Sequence, residues 1–184
     1  MSDLPSADVI VIGAGMAGLT AARELGRAGL ATLVLDKGRA PGGRMATRTI
    51  GGARFDHGAQ HFSARSECFR THVDELERKG VVRTWYTADS RTRPDLLGEP
   101  RLVGSGGMRR IPEHLAVGLD VRTSITVDQL HRDGSGIAVM AGGTRITHGS
   151  AIILTPPVPQ VLDLLRASDM LPAADTLDRL TEVS

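Results

Sequence analysis

The sequence predicts an α/β fold with a parallel sheet, and three observations carry that prediction. Two short, continuously apolar runs, Val9-Ile10-Val11-Ile12 and Ala151-Ile152-Ile153-Leu154, suit strands covered on both faces, as parallel strands are. The first run leads directly into Gly13-Ala14-Gly15-Met16-Ala17-Gly18 and then a helical stretch through Leu25, with Gly29 as its break. A second strand, Ala31 to Leu35, ends in Asp36, about twenty residues past the glycines. Strand, glycine turn, helix, strand and terminal acid make one βαβ unit over residues 8–36, the Rossmann-like arrangement suited to a dinucleotide.

Each part of that unit has a physical use. Gly13 permits the sharp turn, Gly15 lets the backbone approach a pyrophosphate, and Gly18 lets helix and strand pack closely. The helix N-terminus, on which Ala17 also lies, directs free N–H groups and partial positive charge at phosphates. Asp36 stands where an acid accepts from ribose hydroxyls, and its charge would repel a 2′-phosphate. The alternative is an ordinary tight βαβ turn that binds nothing, with Asp36 a solvent-facing strand end.

Composition bounds the remaining classes. A chain of 184 residues is one domain, or one domain with part of a second. Its 41% apolar content describes a globular protein, and a net charge of +1 gives no reason to expect nucleic-acid binding. Cys68 is the only cysteine, so neither an internal disulfide nor a CxxC redox pair can form. No basic leader precedes an apolar stretch and no run reaches transmembrane length, so a cytoplasmic location without a membrane partner is expected.

The rest of the chain reads in order. Residues 1–7 form a short leader. Lys37 to Gly52 reads as a loop centred on Pro41-Gly42-Gly43-Arg44-Met45, whose glycines allow close backbone approach and whose guanidinium can fork onto phosphate; a solvated basic loop is the alternative. In Arg54 to Phe62, Phe55 and Phe62 are the expected anchors. His57 and His61 have i, i+4 spacing, but Gly58 between them and the lack of further ligands argue against a metal. Residues 66–80 predict an amphipathic helix with Cys68, Phe69, His72, Val73 and Leu76 on one face, ended by Gly80. Val81 to Tyr86 alternates as a strand, and 89–100 reads as a surface connection.

Arg101 to Val103 predicts a short strand, and Gly104-Ser105-Gly106-Gly107-Met108 a second glycine turn into a helix near 109–117, with Pro112 in its early turns. Residues 120–130 and 136–140 read as a hairpin, and Thr144 to Thr147 as the third strand of a small meander. The strand at 151–154 stops at Thr155-Pro156-Pro157. Thr155 lies at the carboxyl end of a parallel strand, where ligands bind, although the proline pair could simply end the strand. Val158 to Ala167 predicts a helix, and no closing element is legible after it.

These segments resemble the amine-oxidase-like FAD flavoproteins, and within them the renalase-like group. The likeness is carried by Asp8 to Gly18, Val34-Leu35-Asp36-Lys37, Gly42-Gly43-Arg44-Met45-Ala46-Thr47, Gly58-Ala59-Gln60-His61, Gly106-Gly107-Met108 and Leu154-Thr155-Pro156-Pro157-Val158-Pro159. It covers roughly residues 7 to 170. The resemblance implies a Rossmann-like FAD/NAD(P)-binding fold with a three-stranded β-meander and a partial substrate domain. It divides the chain into 1–65 (FAD-binding βαβ and flavin loop), 66–104 (partial substrate-domain insertion), 105–160 (return to the FAD-binding domain) and 161–184 (start of the remaining substrate domain).

The resemblance also implies the site. FAD is the expected cofactor, with Gly13, Gly15, Ala17 and Gly18 around the pyrophosphate and Asp36, with Lys37 beside it, at the adenosine ribose. Gly43, Arg44 and Met45 fall on the phosphate or flavin side, and Gln60 and His61 beside the flavin, His61 where members often carry Tyr or Phe. Val127 matches a valine that meets adenine through its backbone, and Thr155 lines the site. The implied chemistry passes a hydride from a dihydronicotinamide or amine to the flavin, then electrons to dioxygen. No residue declares itself catalytic. Members of the family are considerably longer. A fragment of a longer enzyme, a truncated gene product or a minimal relative would account for that, the first two being expected, with self-association through uncovered surface. Two alternatives stay open: a non-catalytic FAD- or nucleotide-binding fragment, and an NAD-linked dehydrogenase.

Overall fold

The computed structural model describes residues 6–87, 98–134 and 136–182. Residues 1–5 of the expected 1–7 leader, most of the expected connection at 89–100 and Ser135 of the meander turn lie outside the described residues, while Ser6 and Ala7 already belong to the first strand. The chain forms two compact units. One comprises the residues up to Pro41 together with those from Ala116 onward; the other runs from Gly42 to Leu115.

The first unit is built on a mixed sheet. β1 (Ser6–Ile12), α1 (Met16–Arg27) and β2 (Thr32–Leu35) are the βαβ unit that the glycine pattern predicts. β7 (Asp120–Arg122), β8 (Gln129–Asp133), β9 (Gly136–Ala141) and β10 (Thr144–Leu154) complete six strands in the order β7-β2-β1-β10-β9-β8. β10, β1, β2 and β7 run parallel, while β9 and β8 add an antiparallel flank. The core is Ile10, Ile12, Leu33, Leu35, Leu130, Val139 and Leu164, with Leu19 and Ala22 of α1 also buried. Each large side chain so removed from water contributes about 1.5–3 kcal/mol.

Register places the site. Ile12 sits opposite Leu35 on one side and Leu154 on the other. The three parallel strands therefore end level, and the next residue of each is Gly13, Asp36 or Thr155.

Two sequence expectations in this unit are corrected. Thr144–Thr147 and Ala151–Leu154 are one continuous strand rather than two. β10 pairs with β9 through its first half and with β1 through its second, so the change from polar to apolar marks a change of neighbour, not a turn. Gly149 sits mid-strand because Ile10 packs on it; an added Cβ would lie 3.0 Å from the Ile10 Cδ1. Residues 120–130 are likewise not one hairpin strand. Asp120–Arg122 joins β2 in parallel, and Ser124, at φ +60°, redirects the chain before β8. The meander is thus β8-β9-β10.

α4 (Val158–Ala167) follows as expected. It is tied to β8: Ser168 Oγ accepts from the Leu130 N–H at 2.8 Å and Gln129 Nε2 donates to the Ala167 carbonyl at 3.2 Å. A further helix, α5 (Ala174–Thr181), occupies residues in which no element was legible.

The second unit holds two small antiparallel pairs. β3 (Thr47–Ile50) pairs with β4 (Ala53–Asp56), and β5 (Val82–Thr87) with β6 (Pro100–Gly104). β3 corrects the expected loop at 37–52: Gly51 and Gly52, at φ +56° and +82°, make the two-residue turn that joins it to β4. α2 (Glu67–Arg78) has Ser66 as its N-cap, accepting from the Phe69 N–H at 3.3 Å, and α3 (Arg110–Ala116) carries a buried Pro112. On α2 only Val73 is buried and Leu76 half-buried; Cys68, Phe69 and His72 are exposed, so the apolar stripe is narrower than its spacing suggests. Of the two expected anchors, Phe55 is exposed, while Phe62 is half-buried and bridges to Leu102 through backbone hydrogen bonds of 3.0 and 2.9 Å.

Candidate functional site

The glycine turn is assembled from three strand ends. The Gly13 N–H donates to the Leu35 carbonyl at 2.8 Å, and Gly13 itself adopts φ +110°, which disfavours a side chain. An added Cβ at Gly13 would overlap the Thr155 Oγ1, and one at Gly18 would overlap the Gly13 carbonyl oxygen. These two glycines are required by the protein's own packing.

Gly15 is different. Its φ of −82° suits any residue, and an added Cβ there would meet nothing within 4 Å. It caps α1, and neither a side-chain hydrogen bond nor an acidic residue occupies the helix start. The backbone N–H groups of that first turn point outward from the helix end. A glycine with open space before it, at an uncapped helix N-terminus, fits a pyrophosphate approaching the backbone.

Asp36 faces the same turn. Its Oδ2 accepts the Ala14 N–H and its Oδ1 the Gly38 N–H, both at 2.6 Å. Its backbone is fixed as well: the Asp36 N–H donates to the Arg122 carbonyl and its carbonyl accepts from Ile125 N–H, each at 2.9 Å. Each carboxylate oxygen keeps a lone pair for a ribose hydroxyl. Lys37 Nζ instead donates to Gln160 Oε1 of α4 at 2.9 Å. The Thr155 hydroxyl donates to the Ile12 carbonyl at 2.9 Å and the Gly13 carbonyl at 3.2 Å, so it braces the turn from behind. Val127 lies in the segment between β7 and β8, half-buried against the core. Ala17 is exposed on the first turn of α1.

The remaining candidates belong to the second unit. Gly42 and Gly43, at φ +150° and +52°, lead into a 3-10 turn over Gly43–Met45. The Arg44 carbonyl accepts the Ala59 N–H at 2.8 Å, and an added Cβ at Gly58 would overlap that same carbonyl oxygen. The Gly42–Met45 and Gly58–His61 segments are thus locked backbone to backbone. Arg44, Gln60 and His61 keep exposed side chains, and Met45 is half-buried. The His61 ring lies 6.2 Å from Trp85 and 6.4 Å from Tyr86.

A network under these segments was missed by motif reading. Asp56 Oδ1 accepts from Thr47 Oγ1 at 2.5 Å and from the Met108 N–H at 2.9 Å; Thr47 Oγ1 accepts the Arg109 N–H at 3.1 Å, and the Arg109 guanidinium donates to the Thr47 carbonyl. Gly107 is glycine because a Cβ would meet Thr47 at 2.8 Å. Its only sequence signal is a lone acid between Phe55 and His57 and a threonine in a strand, neither distinctive.

Comparison with known proteins decides the family. The model for a flavin containing amine oxidoreductase matches residues 86–181, more than half of the chain. The chain belongs to the flavin-containing amine oxidoreductases. A model for an NAD(P)-binding Rossmann-like domain matches residues 11–76, which include the glycine turn and Asp36. A putative flavin-containing monoamine oxidase, AofH, of Mycobacterium tuberculosis strain H37Rv is 29% identical over 204 aligned positions, covering 96% of this chain and 43% of that protein. Protein FixC of Escherichia coli K12 is 29% identical over 164 positions, covering 84% and 37%. Wild-type putrescine oxidase bound to putrescine superposes with a TM-score of 0.68 at 18% identity, covering 87% of this chain and 60% of that one, which shows a shared fold. The chain spans less than half the length of these two curated relatives. The family is one of FAD-dependent oxidoreductases, and FAD is the cofactor that the open Gly15 and the uncapped helix start fit. These comparisons support the amine-oxidase family and do not single out its renalase-like branch.

Proposed function

We propose that this chain provides the FAD-binding part of an oxidoreductase that oxidises a small amine and uses dioxygen as the final acceptor. The observation that carries the reading is Gly15, a glycine that the fold does not need for packing, at the open start of α1 in a chain of this family. FAD, when bound, supplies the hydride acceptor and the route to dioxygen. The protein's residues bind and orient it. In this reading Gly13, Gly15, Ala17 and Gly18 enclose the pyrophosphate, Asp36 accepts from the ribose, and Val127 meets the adenine. Gly43, Arg44 and Met45 contact the phosphate or flavin side, and Gln60 and His61 flank the flavin. Lys37 closes the ribose end through Gln160, and Thr155 stands behind the turn.

AofH supports an amine substrate by its name, and the alternative of a dihydronicotinamide follows from the renalase-like segments. A visible absorption spectrum of the purified chain, with chromatography of the ligand released on denaturation, tests the cofactor. FAD bands at near one per chain are expected. Oxygen consumption with primary and secondary amines, and separately with dihydronicotinamide isomers, then assigns the substrate. A chain that stays colourless in excess FAD would refute FAD binding by this part of the protein. A yellow chain without turnover would leave it a cofactor-binding part only.

A further inference from the structure

The grip on the glycine turn closes on a single peptide plane. In a trans peptide the carbonyl of one residue and the N–H of the next point in opposite directions. The Gly13 carbonyl takes the longer arm, 3.2 Å, of a Thr155 hydroxyl bond shared with the Ile12 carbonyl at 2.9 Å, and the Ala14 N–H, on the other edge of the same plane, is held by Asp36 Oδ2 at 2.6 Å. The two side chains come from the ends of β10 and β2, on either side of β1. Thr155 is further fixed by its own N–H, which donates to the Ile12 carbonyl at 3.0 Å. Asp36 is fixed by its second oxygen on the Gly38 N–H.

Such a grip has a use. Gly13 has no side chain, so the peptide that follows it is freer to rotate than one after any other residue. A flip would turn the Gly13 carbonyl to where the Ala14 N–H now points, against the Asp36 carboxylate, and two oxygens there repel each other. We infer that Thr155 is a positioning residue: its hydroxyl locks the Gly13–Ala14 peptide so that the Ala14 N–H holds the Asp36 carboxylate in place for the cofactor's ribose. This rests on the FAD reading above for its purpose, and on the hydrogen bonds for its mechanism. It gives Thr155 a part other than lining the site, because the hydroxyl's single proton is already committed to carbonyls.

The test compares Thr155→Val, which keeps the shape and removes the hydroxyl, with Thr155→Ser, which keeps the hydroxyl. Amide hydrogen exchange at Ala14 reads the lock in the protein without cofactor, and quenching of flavin fluorescence reads FAD affinity. Thr155→Val is expected to speed Ala14 exchange and weaken FAD about tenfold each, the loss of one net hydrogen bond. Exchange at Val11 should stay unchanged, and Thr155→Ser should restore both readouts. Unchanged Ala14 exchange in Thr155→Val, or failure of the serine to restore it, would overturn the lock. If the unsubstituted chain binds no FAD, the cofactor reading fails while Ala14 exchange still decides the lock. If exchange quickens with FAD affinity intact, the lock exists but its stated purpose is refuted.

Discussion

The glycine turn of the first unit and the Gly42–Met45/Gly58–His61 pair of the second are both glycine-rich, and they use glycine for different ends. In the turn, Gly13 and Gly18 serve internal crowding while Gly15 faces open space. In the second unit, Gly58 and Gly107 only let backbone pack on backbone or on Thr47, and the exposed chemistry is left to Arg44, Gln60 and His61. A cofactor-binding motif therefore mixes glycines that hold the fold with glycines that admit the ligand. The two kinds should separate on substitution.

The sharpest separation is Gly18→Ala against Gly15→Ala. The Gly18 methyl would overlap the Gly13 carbonyl, a backbone atom that cannot move aside. A loss of about 3 kcal/mol in unfolding free energy is expected from overpacking, outweighing alanine's helical advantage of about 1 kcal/mol. Gly15→Ala meets no atom and should cost no more than about 1 kcal/mol as a changed N-cap, yet weaken FAD by about a hundredfold if the ligand fills that space. Urea unfolding of the cofactor-free chain and an FAD titration measure both. Equal stability losses, or equal affinity losses without any difference in stability, would collapse the distinction.

In the second unit the corresponding weak point is beneath the exposed side chains. Asp56→Ala leaves the buried Thr47 hydroxyl and the Met108 N–H without their acceptor, a loss of about 2 kcal/mol in stability. Because the Gly42–Met45 and Gly58–His61 segments are tied by the Ala59–Arg44 backbone bond and not by the Asp56 carboxylate, the protein should lose stability without a matching change in fluorescence of Trp85 near His61. A large tryptophan shift at full folding would show that Asp56 shapes the exposed cluster directly.

The same contrast explains what could be read in advance. The βαβ unit was legible because a local motif encodes it: Val9 to Ile12, the glycines and Asp36 follow one another in the chain and meet through one level register. Family segments such as Gly42–Met45 and Gly58–His61 were legible as candidates, and the structure shows them locked together through Arg44 and Ala59. The β3-β4 hairpin was hidden because Thr47–Ile50 carries a single apolar residue and the Ala53/Phe55 alternation of its partner is too short to signal a strand; Ile50 and Phe55 stay exposed, so no buried face marks the pair. The joined β10 was hidden because periodicity reports what covers a strand, and β10 changes neighbours midway. The network of Thr47, Asp56, Met108 and Arg109 joins residues as much as 62 positions apart, and no local spacing announces such a meeting. Thr155 was placed correctly at its strand end, yet the direction of its hydroxyl depends on Gly13 across the sheet.

The smallest effect expected comes from a cluster that neither motif uses and that tests whether the second unit is held by charge as well as by packing. Glu99, the residue before β6, accepts from Arg65 Nε at 2.6 Å and from Arg101 Nη1 at 2.5 Å, and Arg101 is buried and also bonded to Ser63. The hydrogen bond from Arg65 holds the Glu99 carboxyl below its ordinary 4.5, at about 2; burial pushes back, and the Arg101 bond adds to the lowering. A carboxyl depressed in the folded state stabilises the fold above pH 4.5, and that contribution fades as pH falls through about 2. Glu99→Gln abolishes the titration, so its urea midpoint should fall less steeply than that of the unsubstituted chain between pH 4.5 and 2. Above pH 4.5 the variant should be the weaker of the two, because Arg101 keeps its burial and loses its counter-charge. Parallel curves over that window would mean that Glu99 is bonded without being electrostatically committed, leaving packing around Leu102 and Val103 to hold this part of the unit.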